Sequence, residues 1–207
     1  MTVIQGSPEW FAQRLGKVTA SRLVDVLAKV KSGEAAARAN YRAELVAERL
    51  TGKQQESFTN SSMKWGTECE PIARAAYEAE YGLLVTEVAM IQHPRIPMAG
   101  ASPDGLVSID GLIEIKCPET KAHIDTILSG EAPAKYIPQM QWQMACTGRA
   151  WVDFVSFDPR MPDDMQMFVR RVLRDDDLIK TYEAEVIRFL YEVEDTVNKL
   201  KAWKQAA

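Results

Sequence analysis

Residues 101–118 read ASPDGLVSIDGLIEIKCP. The last part, Leu112 to Cys117, has the apolar texture of a strand bound for the interior of a sheet. Yet Asp104, Glu114 and Lys116 carry charge. In a strand, positions two apart point to the same face, so Glu114 and Lys116 stand side by side while Ile113 and Ile115 face the other way. Charge in such a setting is costly unless it is paired or holds a metal. An Asp in the SPDG turn and a Glu ten residues on converge if their strands pair. Asp110-Gly111 offers a hairpin turn that would make them pair. Two converging carboxylates supply hard oxygen donors, which suit Mg²⁺ or Mn²⁺ rather than zinc. Lys116, on the face of Glu114, can orient a water near such an ion or stabilise developing negative charge. An exposed ion pair beside a turn aspartate would give the same pattern, so the spacing alone leaves both readings open.

The flanks supply the layers around this segment. Leu15, then Leu23, Val26, Leu27 and Val30 mark helices over 9–16 and 20–30, with Thr19 or Ser21 as cap. KSGE at 31–34 is a break, and a helix over 35–51 ends at Gly52. Residues 53–64 are polar and loop-like. A further helix runs from Thr67, its cap, to Tyr81, with Gly82 as terminator. LLVTEVAMIQ (83–92), PMAGASP, GLVSI and LIEIKC read as short strands punctuated by Pro and Gly. Residues 120–130 and 134–147 return to helix, and 151–158 and 165–172 are strands joined by PRMPDD. Leu178, Tyr182, Val186, Phe189, Leu190, Val193, Val197 and Leu200 make a long amphipathic C-terminal helix. This order predicts a mixed α/β (α+β) fold, a central mixed sheet flanked by helices. No repeat or linker interrupts it. The chain reads as one domain over 1–207, with a helical part at 1–66, a core at 67–172 and the C-terminal helix at 173–207.

The 207 residues are 46% hydrophobic and 26% charged, which excludes a low-complexity chain. No apolar run approaches the roughly 18–20 residues of a membrane span. MTVIQGSPEW has no basic stretch leading into a long apolar one, against a secretory leader. Cys69, Cys117 and Cys146 form no CxxC pair, against a zinc ribbon, and are too few for a cluster held by four thiolates. So sparse a set suits a reducing cytoplasm, with all three as buried small apolar residues. The net charge is −4, but residues 1–66 hold 10 Lys and Arg against 6 Asp and Glu. Phosphate affinity follows local charge, so this basic third is where a polyanion would be met.

SPDG followed by GLIEIKCP resembles the core motif of the PD-(D/E)xK nuclease superfamily. More narrowly, the chain resembles the phage lambda exonuclease (YqaJ-type viral recombinase) family. EWFAQRLGKVTAS (9–21), KWGTECEPIAR (64–74), YIPQMQWQM (136–144) and WVDFVSFDPRM (151–161) resemble further motifs of that family, in the same order. The resemblance implies a restriction-endonuclease-like core in which Asp104 and Glu114 are the primary metal ligands, with the Ile115 carbonyl completing the shell. Lys116 would act on the attacking water, Glu70 would help hold a second ion, and Gln139 would lie beside the scissile phosphate. It also implies a 5′-phosphate pocket at Arg14, Thr19, Ser21 and Ser102, a chemically sound set of one bidentate guanidinium and three hydroxyls. Met63 aligns with an apolar wedge at the terminal base pair. Lys31 stands where an arginine of the family reaches the duplex, keeping the charge but not a forked grip. A second family arginine is missing around Lys121 and Ala122. Without these motifs, Glu70, Gln139, Arg14 and Met63 would read as ordinary surface or packing residues.

The activity implied is a Mg²⁺-dependent 5′→3′ exonuclease with two ions per site, Mn²⁺ substituting, that digests one strand of linear duplex DNA. Its 3′ overhang would pass to a single-strand annealing protein for recombination, in a phage or prophage setting within the bacterial cytoplasm. The family further implies a homotrimeric ring threaded by DNA. The alternatives are an endonuclease of the same superfamily, of restriction or repair type, and a DNA-binding module without catalysis.

Overall fold

The computed structural model describes residues 3–55 and 61–206. Helix α1 (Pro8–Arg14) is capped by the Ser7 side chain, which accepts from the Trp10 N–H, and leads to β1 (Val18–Thr19), a 3₁₀ turn and the short α2 (Leu23–Val26). Then come α3 (Ala36–Thr51), α4 (Ser61–Tyr81), β2 (Val85–Thr86), β3 (Ile91–Gln92), β4 (Ala99–Ala101), β5 (Gly105–Val107) and β6 (Gly111–Lys116). Helices α5 (Thr120–Ser129) and α6 (Ile137–Thr147), strands β7 (Trp151–Phe157) and β8 (Met167–Leu173), and α7 (Asp176–Ala206) complete the chain.

The fold is mixed α+β, as expected. Five strands pair in the order β2-β5-β6-β7-β8, with β6 and β7 parallel and the other pairs antiparallel. A smaller sheet, β1-β4-β3, lies beside it. β6 is central and covered on both faces. Leu112 joins a core with Trp142, Phe154 and Phe189, whereas Ile113 and Ile115 join Ala73 and Tyr77 of α4. The α6 residues thus cover the face that also carries Glu114 and Lys116. The N-terminal elements are part of the first of these cores, through Val18, Leu23, Tyr41 and Leu45.

Several expectations need correcting. The helix expected over 20–30 stops at Val26, because Val30 faces solvent and Thr19 gives the first turn no side-chain cap. α4 begins at Ser61 rather than Thr67. Thr67 is no cap: its hydroxyl donates to the Met63 carbonyl one turn back. The loop expected over 53–64 falls in part outside the described residues, and its end is helical. LLVTEVAMIQ splits into two short strands in different sheets. Asp110-Gly111 does lie at a hairpin, but the loop is Ser108–Asp110, with Ser108 at positive φ and Gly111 already paired with Val107. Gly111 serves another purpose, since a Cβ there would sit 2.1 Å from the Trp151 ring. Arg149 Nη1 fastens this hairpin, donating to the carbonyls of Val107, Ser108 and Gly111. Cys69 and Cys146 are buried as expected, but Cys117 is only half-buried.

Candidate active site

The hairpin brings the charges of residues 104–116 together. Gly105 pairs with Ile113, which sets Asp104 beside the end of β6, and Asp104 Oδ2 accepts from the Ile115 N–H at 2.7 Å. Glu114 has no exposed surface. Its carboxylate accepts from Gln139 Nε2 on one oxygen and from Gln143 Nε2 on the other, each at 2.5 Å, and pairs with Lys116 Nζ. A buried carboxylate with three donors is a satisfied one.

Charge is less well balanced around it. Burial drives the Asp104 carboxyl well above the ordinary range, Glu114 and Glu70 add repulsion, and Lys116 and the Ile115 N–H only partly oppose. Glu70 is raised as well, through burial and the negative charge of Glu114, although Arg74 at 2.8 Å and Lys116 pull it down. Burial works against the Lys116 ammonium, yet Glu114 and Asp104 raise it above the ordinary lysine range. Three carboxylates thus feel one another's charge, offset by Lys116 paired with Glu114 and by Arg74 paired with Glu70.

Glu70, Ile115, Lys116, Cys117 and Tyr136 line an open cavity of about 540 Å³ that extends to Trp10 and Met63. Trp10 and Met63 also border a neighbouring cavity of about 270 Å³, where Arg14, Thr19 and Ser21 meet. Ser102 completes that set, accepting from Arg14 Nη1 at 3.3 Å and from Trp10 Nε1 at 3.0 Å. The Arg14 guanidinium lies 4.1 Å from the Trp10 ring centre, and burial holds it below the ordinary arginine range, with Tyr41 and Glu48 opposing. Ser21 further shares a small cavity with Gln139, Lys135 and Tyr136. The cavity of Arg14, Thr19 and Ser21 thus shares Trp10 and Met63 with the cavity lined by Glu70 and Lys116. Met63, half-exposed, stands where the two larger cavities adjoin. Lys31 is the exception. It is exposed on the segment between α2 and α3 and lines none of these cavities. A separate cavity of about 520 Å³ between α3 and α7 is lined by Glu34, Arg38, Arg42 and Glu192, whose charges pair with one another.

The fit to a divalent cation lies in the chemistry of these donors. Among the described residues, no three carboxylate, imidazole or thiol groups close on one point. Glu70 is tied to Arg74, and both Glu114 oxygens hold donors. The donors are nonetheless hard oxygens, crowded enough to raise Asp104, and a hard cation is what would relieve that crowding. Burial pushes the Cys117 thiol up to about 12, with Cys69, Glu70 and Asp104 adding to the shift, so no thiolate competes at neutral pH.

The sequence reading missed two participants. Gln143 was passed over, although it lies one turn from Gln139 on α6 and reaches Glu114; the i, i+4 spacing was the available signal. Trp10, noted only as part of a motif, holds both Ser102 and Arg14. Gln141, in contrast, turns away, donating to the Leu173 carbonyl and accepting from the Asp175 N–H before α7.

Residues 9–150 match the YqaJ-like viral recombinase domain. The chain belongs to that family. Among solved structures, this family member is similar to the alkaline exonuclease LHK-Exo from Laribacter hongkongensis, at 56% identity, a TM-score of 0.90, and coverage of 97% of this chain and 99% of that one. LHK-Exo in complex with dAMP matches with the same identity and coverage, at a TM-score of 0.91. A phage-related exonuclease from Haemophilus somnus 129PT shares the fold, with 18% identity, a TM-score of 0.72, and 89% of this chain and 96% of that chain covered. No curated protein matches the chain.

Proposed function

We propose that this YqaJ-family chain is a Mg²⁺-dependent exonuclease that enters linear duplex DNA at a 5′-phosphorylated end and degrades that strand 5′→3′. That it is a deoxyribonuclease follows from its family and from 56% identity across nearly all of LHK-Exo. The finer reading is supported by one observation: the cavity lined by Glu70, Ile115 and Lys116, beside Asp104 and Glu114, shares Trp10 and Met63 with the cavity of Arg14, Thr19 and Ser21, to which Ser102 is tied through Arg14.

In this reading Asp104, Glu114 and the Ile115 carbonyl hold the first ion, and Glu70 contributes to a second. Bound divalent ions would supply stabilisation of both the entering and the leaving oxygen of an in-line displacement. Mn²⁺ has the same donor preference and would substitute. Lys116 orients the attacking water and offsets charge on the phosphoryl oxygens. Gln139 donates toward the scissile phosphate. Arg14 and the three hydroxyls grip the 5′-phosphate, and Met63 wedges the terminal base pair. The product is duplex with a 3′ overhang, the substrate of a single-strand annealing protein. A homotrimeric ring in the bacterial cytoplasm, phage or prophage encoded, completes the proposal. Among the described residues no helix is long and apolar enough to cross a membrane.

The test is product analysis on linear duplex 5′-labelled on one strand, with Mg²⁺, beside closed circular plasmid. Early release of labelled mononucleotide with the circle untouched is expected. Internal fragments, or loss of the circle, would instead identify an endonuclease.

A further inference from the structure

We propose that Gln143 is the positioning residue for Glu114, fixing the plane of its carboxylate for metal binding and continuing to do so when Gln139 turns toward DNA. This inference rests on the reading of Glu114 as a metal ligand. Gln139 and Gln143 stand one turn apart on α6 and donate to opposite oxygens of the same carboxylate. Their surroundings differ. Gln139 is half-buried and lines a cavity with Ser21 and Lys135, so it can exchange Glu114 for a phosphate oxygen. Gln143 has no exposed surface and cannot touch substrate.

A carboxylate only accepts, so the amide nitrogen of Gln143 must face Glu114. Its carbonyl oxygen, Oε1, is then buried without a hydrogen-bond partner among the described residues. The flanking Trp142 and Met144 are wholly buried core residues. An aliphatic side chain at this buried position would strand no carbonyl, and such a stranded acceptor is unfavourable. Among the described residues, the one hydrogen bond of the glutamine side chain is to Glu114. Its placement is thus accounted for by what it does to that carboxylate. Groups that hold a ligating side chain from behind change metal affinity by about 10–100-fold when removed.

The experiment uses the full-length protein and Mn²⁺ as the probe. Free Mn²⁺ is followed by electron paramagnetic resonance without DNA, and cleavage of 5′-phosphorylated duplex is measured against Mn²⁺ concentration. In Gln143→Met, the Mn²⁺ dissociation constant and the half-saturating Mn²⁺ should both rise about 10–100-fold. The KM for DNA at saturating Mn²⁺ should stay near the unaltered value, a split that general loosening of the core would not give. Gln143→Asn, whose shorter arm withdraws the donor, should move in the same direction and serves if the Met variant does not fold. A folded Gln143→Met with an unaltered Mn²⁺ isotherm overturns the inference, as does failure of both variants to fold, which would place Gln143 in the core alone. Glu114→Ala separates the two readings. If it abolishes Mn²⁺ binding while Gln143→Met does not, only the positioning role falls; if it leaves Mn²⁺ binding intact, the metal reading falls with it.

Discussion

Glu114 and Asp104 show how one strand register creates two unlike carboxylates. Glu114 is satisfied by Gln139, Gln143 and Lys116, whereas Asp104 is pushed up by burial and by its acidic neighbours. Asp104→Ala should abolish cleavage, and Lys116→Ala should lower it by about 10²–10³-fold, the scale of losing one preorganised charge-stabilising donor. Both variants are measured in single-turnover assays at saturating Mg²⁺; full activity in either would show the site to be elsewhere. Arg14 calls for a more selective measurement. Its guanidinium is held by Trp10 and Ser102, neither of which neutralises it. Arg14→Ala should cost about 10–100-fold on 5′-phosphorylated duplex, the worth of a charge-assisted hydrogen bond, and little on 5′-hydroxyl duplex. Equal losses on both ends would remove Arg14 from the phosphate pocket. The strand alternation of Glu114 and Lys116 was legible in the sequence because a period of two needs no tertiary information. The partners of Glu114 were not. That Gln143 reaches Glu114 while Gln141, also buried, reaches Leu173 and Asp175 depends on how α6 is rotated over β6, which only packing fixes.

At the scale of elements, the site depends on how α4 is seated against the end of β7. Asp158 follows β7, wholly buried, and accepts from Thr120 Oγ1 and from the Arg160 side chain and backbone. Arg160 in turn lies 4.6 Å from the ring centre of Trp65, five residues before Glu70 on α4. Burial opposes the Asp158 charge, but the Arg160 and Thr120 hydrogen bonds hold its carboxyl at about 2. A carboxyl depressed in the folded state stabilises above its unfolded value, about 3.9, and that stability is lost as pH falls through the folded value. Asp158→Asn should therefore be less stable than the unaltered chain at pH 7, with the gap narrowing between about pH 4 and about pH 2 in urea titrations. A gap independent of pH would show that the charge of Asp158 is not what stabilises. Gly111→Ala tests the hairpin that aims Asp104. A Cβ would meet the Trp151 ring, and such overpacking costs about 1–3 kcal/mol, visible as a lower Tm; an unchanged Tm would mean that the ring moves freely aside. The longer elements were legible because their apolar spacing repeats over several turns, as in α3 and α7. The Asp-Gly pair signalled the right hairpin for the wrong reason, since the positive φ belongs to Ser108 and the glycine makes room for a ring contributed from β7.

For the molecule as a whole, the difficulty is that a chain of net charge −4 must hold a polyanion. Its charge is divided: the first third is basic, and that third supplies Arg14 and most walls of the cavity proposed to take the 5′-phosphate. Duplex DNA is held mainly through many phosphate contacts. Repeating one basic face around a ring would multiply those contacts while leaving acidic surface outside. The helix α7 also leaves Ile187, Tyr191 and Trp203 more than half exposed. Sedimentation velocity without DNA should accordingly give three times the chain mass of 23.2 kDa. Tyr191→Glu together with Trp203→Glu should shift that mass downward while the circular dichroism of the fold is kept, if α7 forms the contact. A single-chain mass for the unaltered protein, with end-specific cleavage intact, would show that one copy suffices to hold DNA and that the ring is not needed for the chemistry.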